Sequence, residues 1–328
     1  MKIDSDPNFA RGLRAACALG LLLATRLAAA QQPDSSGYLT ASDGARLHFA
    51  IYGSSRDTVI VPGEAMLVDP LEDLRGSLTL VFYDPRGRGQ SEWIGDGKHL
   101  AMADELRDLE TVRSTFRISK AGIIGFSYLG LMTALYAADH PDRVTRLALV
   151  GPVAPDEATA SRYAPVEGRL RSDSAAARFA RARAAASDTA DLSAECRRWY
   201  EAYLPVYVGD PANASKVSTA LCSNENETPS RVRWRVDRTM RSLGRRWDFT
   251  GKAAAIRVPT LVVQGDRDFA VSPDGARRWT ELIPDARLIM LAGAGHFAYV
   301  ERRDRVLPAL QRFFLGQWPP EAMRLRTR

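Results

Sequence analysis

Ser127 has the neighbours that a nucleophilic serine needs. It lies in Ile123-Ile124-Gly125-Phe126-Ser127-Tyr128-Leu129-Gly130, where a short apolar run passes directly into a helical stretch ending at His140-Pro141. A serine on such a sharp strand-to-helix turn presents its hydroxyl above the sheet, and small flanking residues let strand and helix approach. Gly125 meets that demand. Leu129 stands where the turn usually carries a second glycine, with Gly130 directly after it. The competing reading is a serine at an ordinary helix N-cap.

A serine hydroxyl is a weak nucleophile near neutral pH, so it needs an imidazole to take its proton and a carboxylate to hold that imidazole's tautomer. The chain has 4 histidines. His48 falls in an N-terminal hairpin strand, His99 in a polar loop before a helix, and His140 at a helix C-terminus, where structural histidines are common. His296 remains, in the glycine-rich stretch Ala292-Gly293-Ala294-Gly295-His296-Phe297 just past the last apolar run, where a side chain can hang over the sheet's carboxyl edge. The segment before it, Pro259 to Gln264 followed by Gly265-Asp266-Arg267-Asp268, offers two acids. Asp268 lies further past the strand end and is expected to reach His296, whereas Asp266 is placed to brace the turn or pair with Arg267.

The elements that must position these residues are legible in the hydrophobic pattern. Residues 38–53 alternate around Asp43-Gly44, which predicts an antiparallel hairpin. Apolar runs at Thr58–Val61, Leu78–Tyr83, Gly122–Ile124, Arg146–Val150, Thr260–Gln264 and Arg287–Leu291 are interspersed with helical stretches near 100–117, 128–139, 273–283 and 301–315. That alternation predicts an α/β fold, a mostly parallel sheet flanked by helices. The rhythm breaks between Pro155 and Gly251, where Ala/Arg-rich sequence (Ala175–Ala186) gives way to aromatic-rich and polar segments. Residues 155–251 are therefore expected to form a helical lid inserted into a core of residues 31–154 and 252–328. An independent coiled coil is the alternative, but the apolar spacing is too irregular for heptads.

Residues 1–30 carry Arg11 and Arg14 ahead of an apolar stretch, Ala15–Thr25, and small residues Ala28-Ala29-Ala30 before Gln31, which together read as a signal peptide. The expected location is secreted or periplasmic, with a cytoplasmic enzyme bearing an N-terminal extension as the alternative. The stretch is too short and Ala-rich for stable membrane insertion. Cys17 would leave with the leader, and Cys196 and Cys222 remain as an even pair for which an oxidising compartment favours a disulfide. Two unrelated buried thiols are the other reading. The net charge of +6 comes without a run of five or six like charges, and losing Lys2, Arg11, Arg14 and Arg26 against Asp4 and Asp6 leaves +4. Neither value points to nucleic acid. With scattered histidines and two remaining cysteines there is no metal-ligand spacing, and no cofactor is implied. Oligomeric state is not encoded in any pattern found.

The chain resembles the α/β-hydrolase family over Tyr38–Phe314, and within it the proline-iminopeptidase-like (peptidase S33-type) branch. Asp84-Pro85-Arg86-Gly87-Arg88-Gly89-Gln90-Ser91 is similar to that branch's D-x-R-G-x-G-x-S loop, Gly265-Asp266-Arg267-Asp268 and Gly295-His296 match its acid and base positions, and the order Ser, Asp, His is the family's. Family members usually carry His-Gly after the third strand, whereas this chain has Val61-Pro62-Gly63-Glu64-Ala65. By position, the oxyanion donors would be the N–H groups of Tyr128 and Glu64, each such donor being typically worth about 3 kcal/mol of barrier. Glu64's own carboxylate would oppose the developing charge unless it turns away or pairs with a cation, and a merely structural turn at 62–65 is the alternative.

The resemblance implies a serine hydrolase that cleaves an ester or amide of a small molecule or short peptide through an acyl-enzyme. An aminopeptidase would need carboxylates to neutralise a substrate's free ammonium, and the lid offers Glu201, Glu225 and Glu227. Each of these also reads as a solvated surface charge. A carboxylesterase with an apolar lid pocket and a non-catalytic binding homologue are the alternatives. Cofactor-free carbon–carbon cleavage or haloperoxidase-type chemistry would use the same triad.

Overall fold

The structure, a computed structural model, describes residues 32–161 and 191–325. The expected leader at residues 1–30 and the expected helix at 175–186 lie outside the described residues. From Ser35 the chain forms the hairpin that the alternation predicts: β1 (Ser35–Thr40) and β2 (Arg46–Tyr52) pair antiparallel, from Ser35 opposite Ile51 to Thr40 opposite Arg46. Asp43 and Gly44 sit in a loop over residues 41–45, a longer connection than a two-residue turn, with the Asp43 carboxylate accepting from the Ala45 N–H at 3.3 Å.

Six further strands follow: β3 (Thr58–Pro62), β4 (Thr79–Tyr83), β5 (Ala121–Phe126), β6 (Val144–Val150), β7 (Thr260–Gly265) and β8 (Ala286–Leu291). They complete one sheet in the order β1-β2-β4-β3-β5-β6-β7-β8, antiparallel at β1/β2 and β2/β4 and parallel elsewhere. β5 and β7 are buried at every position, which is why each reads as an unbroken apolar run rather than an alternation.

Ten α-helices are described: α1 (Glu64–Leu71), α2 (Met102–Thr115), α3 (Tyr128–Asp139), α4 (Glu157–Ser161), α5 (Leu192–Tyr207), α6 (Pro229–Arg241), α7 (Thr250–Ala255), α8 (Pro273–Leu282), α9 (Ala298–Glu301) and α10 (Arg303–Phe314). The chain over 301–315, expected as one helix, breaks at Arg302, whose φ of −124° and ψ of 43° are not helical. Helix α3 is buried along Tyr128–Ala137, so it is apolar all round and carries no amphipathic stripe.

Between β6 and β7, the described residues hold α4 to α7 and short 3₁₀ turns but no strand, only an isolated bridge between Asp156 and Asp248. This segment is bolted to the sheet side by buried polar groups. Arg235 of α6, fully buried, donates to the Arg86 carbonyl at 2.6 Å, to the Glu105 carboxylate at 2.6 Å, and to the Tyr128 hydroxyl. The Asn226 amide donates to the carbonyls of Gly89 and Ser91 at 3.0 and 2.8 Å. Removing one partner of a buried ion pair such as Arg235–Glu105 typically costs about 3–5 kcal/mol, because the other charge is stranded.

A disulfide links Cys196 of α5 to Cys222, with Cα atoms 5.4 Å apart. On the chain-entropy model, closing a loop of this length stabilises by about 3.5 kcal/mol. The Cys196→Ala/Cys222→Ala protein is expected to lose stability by that order in denaturant titration. Mass spectrometry of non-reduced peptides is expected to recover the Cys196–Cys222 linkage, and two free thiols in protein from an oxidising compartment would contradict it.

Candidate active site

Ser127 occupies the step from β5 into α3 with φ 57° and ψ −126°, a backbone region that non-glycine residues avoid. Such a conformation costs about 1–3 kcal/mol and persists only where its surroundings enforce it. Here the Ser127 N–H donates to the Val150 carbonyl at 3.0 Å, and its carbonyl accepts from Gly130 and Val153 at 3.0 and 3.1 Å. Gly125 is required by space: a Cβ there would lie 2.0 Å from the Thr133 hydroxyl and 2.7 Å from the Leu129 carbonyl. Leu129, in place of the usual second glycine, causes no such conflict because its side chain points into a cavity, while Gly130 is the residue that meets Pro152.

The structure brings Ser127, His296 and Asp268 into one hydrogen-bonded chain. His296 Nε2 is 3.1 Å from Ser127 Oγ, and its Nδ1 is 2.8 Å from Asp268 Oδ2. The other carboxylate oxygen of Asp268 accepts the N–H groups of Ala270 and Val271 at 2.9 and 3.0 Å, and Gln264 donates to Oδ2 at 2.9 Å. Asp266 instead accepts from the Gly293 N–H at 2.7 Å and does not reach the imidazole. Phe126 and Tyr207 pack against the imidazole, their ring centroids 4.7 and 5.8 Å away.

Glu64 and Tyr128 open α1 and α3, where the first N–H groups of a helix have no intrahelical acceptor. The flanking amides are occupied: Gly63 N–H donates to the Tyr83 carbonyl at 2.7 Å and Ala65 N–H to Asp84 at 2.9 Å. The Glu64 carboxylate is turned out of the cavity and meets His48 Nδ1 at 2.8 Å. Burial pulls the His48 imidazole down, but the hydrogen bond and charge of Glu64 outweigh it and leave the pKa raised. Burial, with Glu64 beside it, pushes the Asp84 carboxyl up.

These elements enclose a cavity of about 550 Å³. Its walls carry Met66, Leu67, Phe126, Leu129, Leu204, Phe297 and the α5 aromatics Trp199, Tyr200, Tyr203 and Tyr207. Trp199 and Tyr203 stack with centroids 3.9 Å apart and planes at 17°. Of the glutamates expected to receive an ammonium, Glu201 is exposed and does not line the cavity, and Glu225 is exposed and pairs with Arg231 at 3.3 Å. The physical reason is helical phase: the aromatic face of α5 turns inward and leaves Glu201 outside. Glu227 does line the cavity, but Arg88 holds it through two hydrogen bonds at 2.8 and 2.7 Å. Arg88 and Arg235 stand near the site although no sequence signal singled them out. Glu301 was equally silent, and it accepts the N–H of Gly295 beside His296 at 2.7 Å.

Because the His48 pKa is raised on folding, its pair with Glu64 stabilises fully below the unfolded value of about 6.5 and is lost as pH climbs through the higher folded value. The melting-temperature deficit of His48→Gln is therefore expected to be larger near about pH 6 than near about pH 9. A deficit independent of pH would contradict a charged pair.

A sequence model of the alpha/beta hydrolase fold matches residues 63–303. The proline iminopeptidase of Lactobacillus helveticus (strain DPC 4571) is 22% identical over 241 residues, which is 71% of this chain and 78% of that protein. A 68-residue stretch is 40% identical to the polyketide synthase ThaQ of Burkholderia thailandensis, a match that spans only 3% of that much longer protein. Among solved structures, an esterase from Rhodococcus sp. ECU1013 superposes with a TM-score of 0.67 at 22% identity, covering 86% of this chain and 99% of that one.

Proposed function

The chain belongs to the α/β-hydrolase fold family, and from that premise we propose that it is a serine hydrolase acting on esters with an apolar or aromatic acyl group. The observation that carries this reading is the Asp268–His296–Ser127 chain, at 2.8 and 3.1 Å, opening into a cavity walled by aromatic and aliphatic side chains. Ser127 Oγ attacks the substrate carbonyl as His296 Nε2 takes its proton, and Asp268 holds the imidazole with Nδ1 protonated. The N–H groups of Tyr128 and Glu64 receive the negative oxygen. The Glu64 carboxylate does not oppose it, being turned away and paired with His48. Collapse expels the alcohol with the proton from His296, and a water activated by the same imidazole releases the acid.

The helices between β6 and β7 act as the lid that sets specificity. The sequence of residues 1–30 and the Cys196–Cys222 bond together support an exported enzyme. Among the described residues, no helix is long and apolar enough to cross a membrane.

An aminopeptidase is the second reading, favoured by the likeness to proline iminopeptidase. It is weakened by the cavity's charges: among the described lining residues, the buried Glu227 is bound to Arg88 and the partly exposed Asp237 lies 3.7 Å from Arg241, so a substrate ammonium meets no buried carboxylate there that is free of a cation.

Ser127→Ala is expected to lower turnover about a millionfold with folding intact, since a triad acts as a unit. Asp268→Asn should cost about ten-thousandfold in kcat by favouring the wrong tautomer, far more than Asp266→Asn. The reverse ranking would move the acid to Asp266. On substrates, p-nitrophenyl esters are expected to be cleaved, and an N-acetylated aminoacyl-naphthylamide at least as fast as its free-amine twin. A marked preference for the free amine would establish the aminopeptidase instead.

A further inference from the structure

Arg88 and Glu227 form a charged pair in the cavity wall that the acyl-transfer chemistry leaves unused. Arg88 enters from the loop after β4, Glu227 from the 3₁₀ turn Glu225–Glu227, and both share the cavity with Ser127. Glu227 is satisfied on both oxygens: Oε1 accepts from Arg88 Nε at 2.8 Å and Gly89 N–H at 2.7 Å, and Oε2 accepts from Arg88 Nη2 at 2.7 Å. Burial raises its pKa, but the Arg88 charge and these hydrogen bonds outweigh it and keep it ionised. Arg88, by contrast, is not exhausted. Its side chain is only 8% exposed, its side-on pairing engages Nε and Nη2, and Nη1 has no acceptor among the described residues. Arg88 lines the cavity that holds Ser127, which leaves Nη1 as the guanidinium nitrogen available to a ligand there.

We propose that Arg88 Nη1 is a subsite for a neutral acceptor oxygen, a ketone, amide or ester carbonyl, carried by the part of the substrate remote from the bond cleaved at Ser127. The subsite rests on the reading of this cavity as the substrate site. Charge decides the class of ligand. Arg88 is balanced by Glu227, and the neighbouring Arg235 by Glu105 at 2.6 Å. Arg233 and Asp237 of α6, which also line the cavity, lie on its solvent-accessible side. A substrate carboxylate would leave the buried cluster one negative charge in excess beside Glu227, and an ammonium would face Arg88. A neutral oxygen accepts a charge-assisted hydrogen bond without either penalty. The stacked Trp199 and Tyr203 supply the flat wall against which an aryl ketone can lie.

The test uses acetophenone and ethylbenzene, which differ by the carbonyl oxygen, with dissociation constants taken from NMR titration of the whole protein. Arg88→Met/Glu227→Gln removes both charges and so strands neither. Arg88→Lys, the milder variant, keeps a cation for Glu227 but deletes the second terminal nitrogen. The ratio of ketone to hydrocarbon affinity is expected to fall about tenfold from wild type to either variant, the scale of a hydrogen bond to a charged donor. A ratio within about twofold of wild type in the variants that fold, or no acetophenone binding to wild type, overturns the subsite. Binding needs no turnover, so an inactive wild type with the expected ratios overturns only the Ser127 mechanism. An active wild type with unchanged ratios overturns only the Arg88 subsite.

Discussion

The close approach of strand β5 to helix α3 is the constraint on which the site depends. Turning from one to the other within a single residue forces Ser127 to a φ of 57°, and that turn is possible only because position 125 has no Cβ to strike Thr133. The same turn places Ser127 and the first amide of α3 on consecutive residues directly after β5. On the proposed mechanism the backbone turn alone places the anion-binding amide, while the hydroxyl also depends on the side-chain rotamer that lies 3.1 Å from His296 Nε2. The strain is repaid by hydrogen bonds from Ser127 to β6 and to the chain beyond it, so the central parallel strands act as the frame of the turn.

Most of this frame was legible in the sequence because its signals are local. Buried parallel strands must be apolar throughout, the glycines of the turn are forced by sterics, and the histidine loop follows the last strand. What could not be read was long-range charge pairing. Nothing in the spacing of Arg88 and Glu227 indicates that residues 139 positions apart meet inside the cavity, or that His48 on β2 would take up the carboxylate of Glu64. Glu201 was expected to receive a substrate ammonium, but side-chain phase on α5 turns the aromatic face inward and leaves the carboxylate in solvent. The helix near 301–315 was read as continuous because periodicity does not register one non-helical residue at Arg302.

The buried ions between the sheet side and the helices from α5 to α6 have a common logic. Arg88 of the loop after β4 is held by Glu227, and Arg235 of α6 by Glu105, so each cation is matched to a carboxylate from the opposite side of the junction. Such pairs contribute little net stability against apolar packing, but a misaligned helical segment would strand charges out of water at a cost of several kcal/mol each. They therefore select one docking of the helical segment over near alternatives, whereas the aromatic contacts alone tolerate sliding.

The end of α5 has a different consequence, for how such proteins can be recombined. The Tyr207 carbonyl accepts the His296 N–H at 2.7 Å, and Glu301 accepts the N–H groups of Gly209 and Gly295 at 2.9 and 2.7 Å. Residues 207–209 belong by sequence to the helical segment between β6 and β7, yet mechanically they form part of the seat of the imidazole. A chimera that exchanges helical segments between relatives must place its junction before Tyr207 or import the matching histidine loop with it. A splice at the strand boundaries would graft a new pocket and unseat the histidine in the same operation.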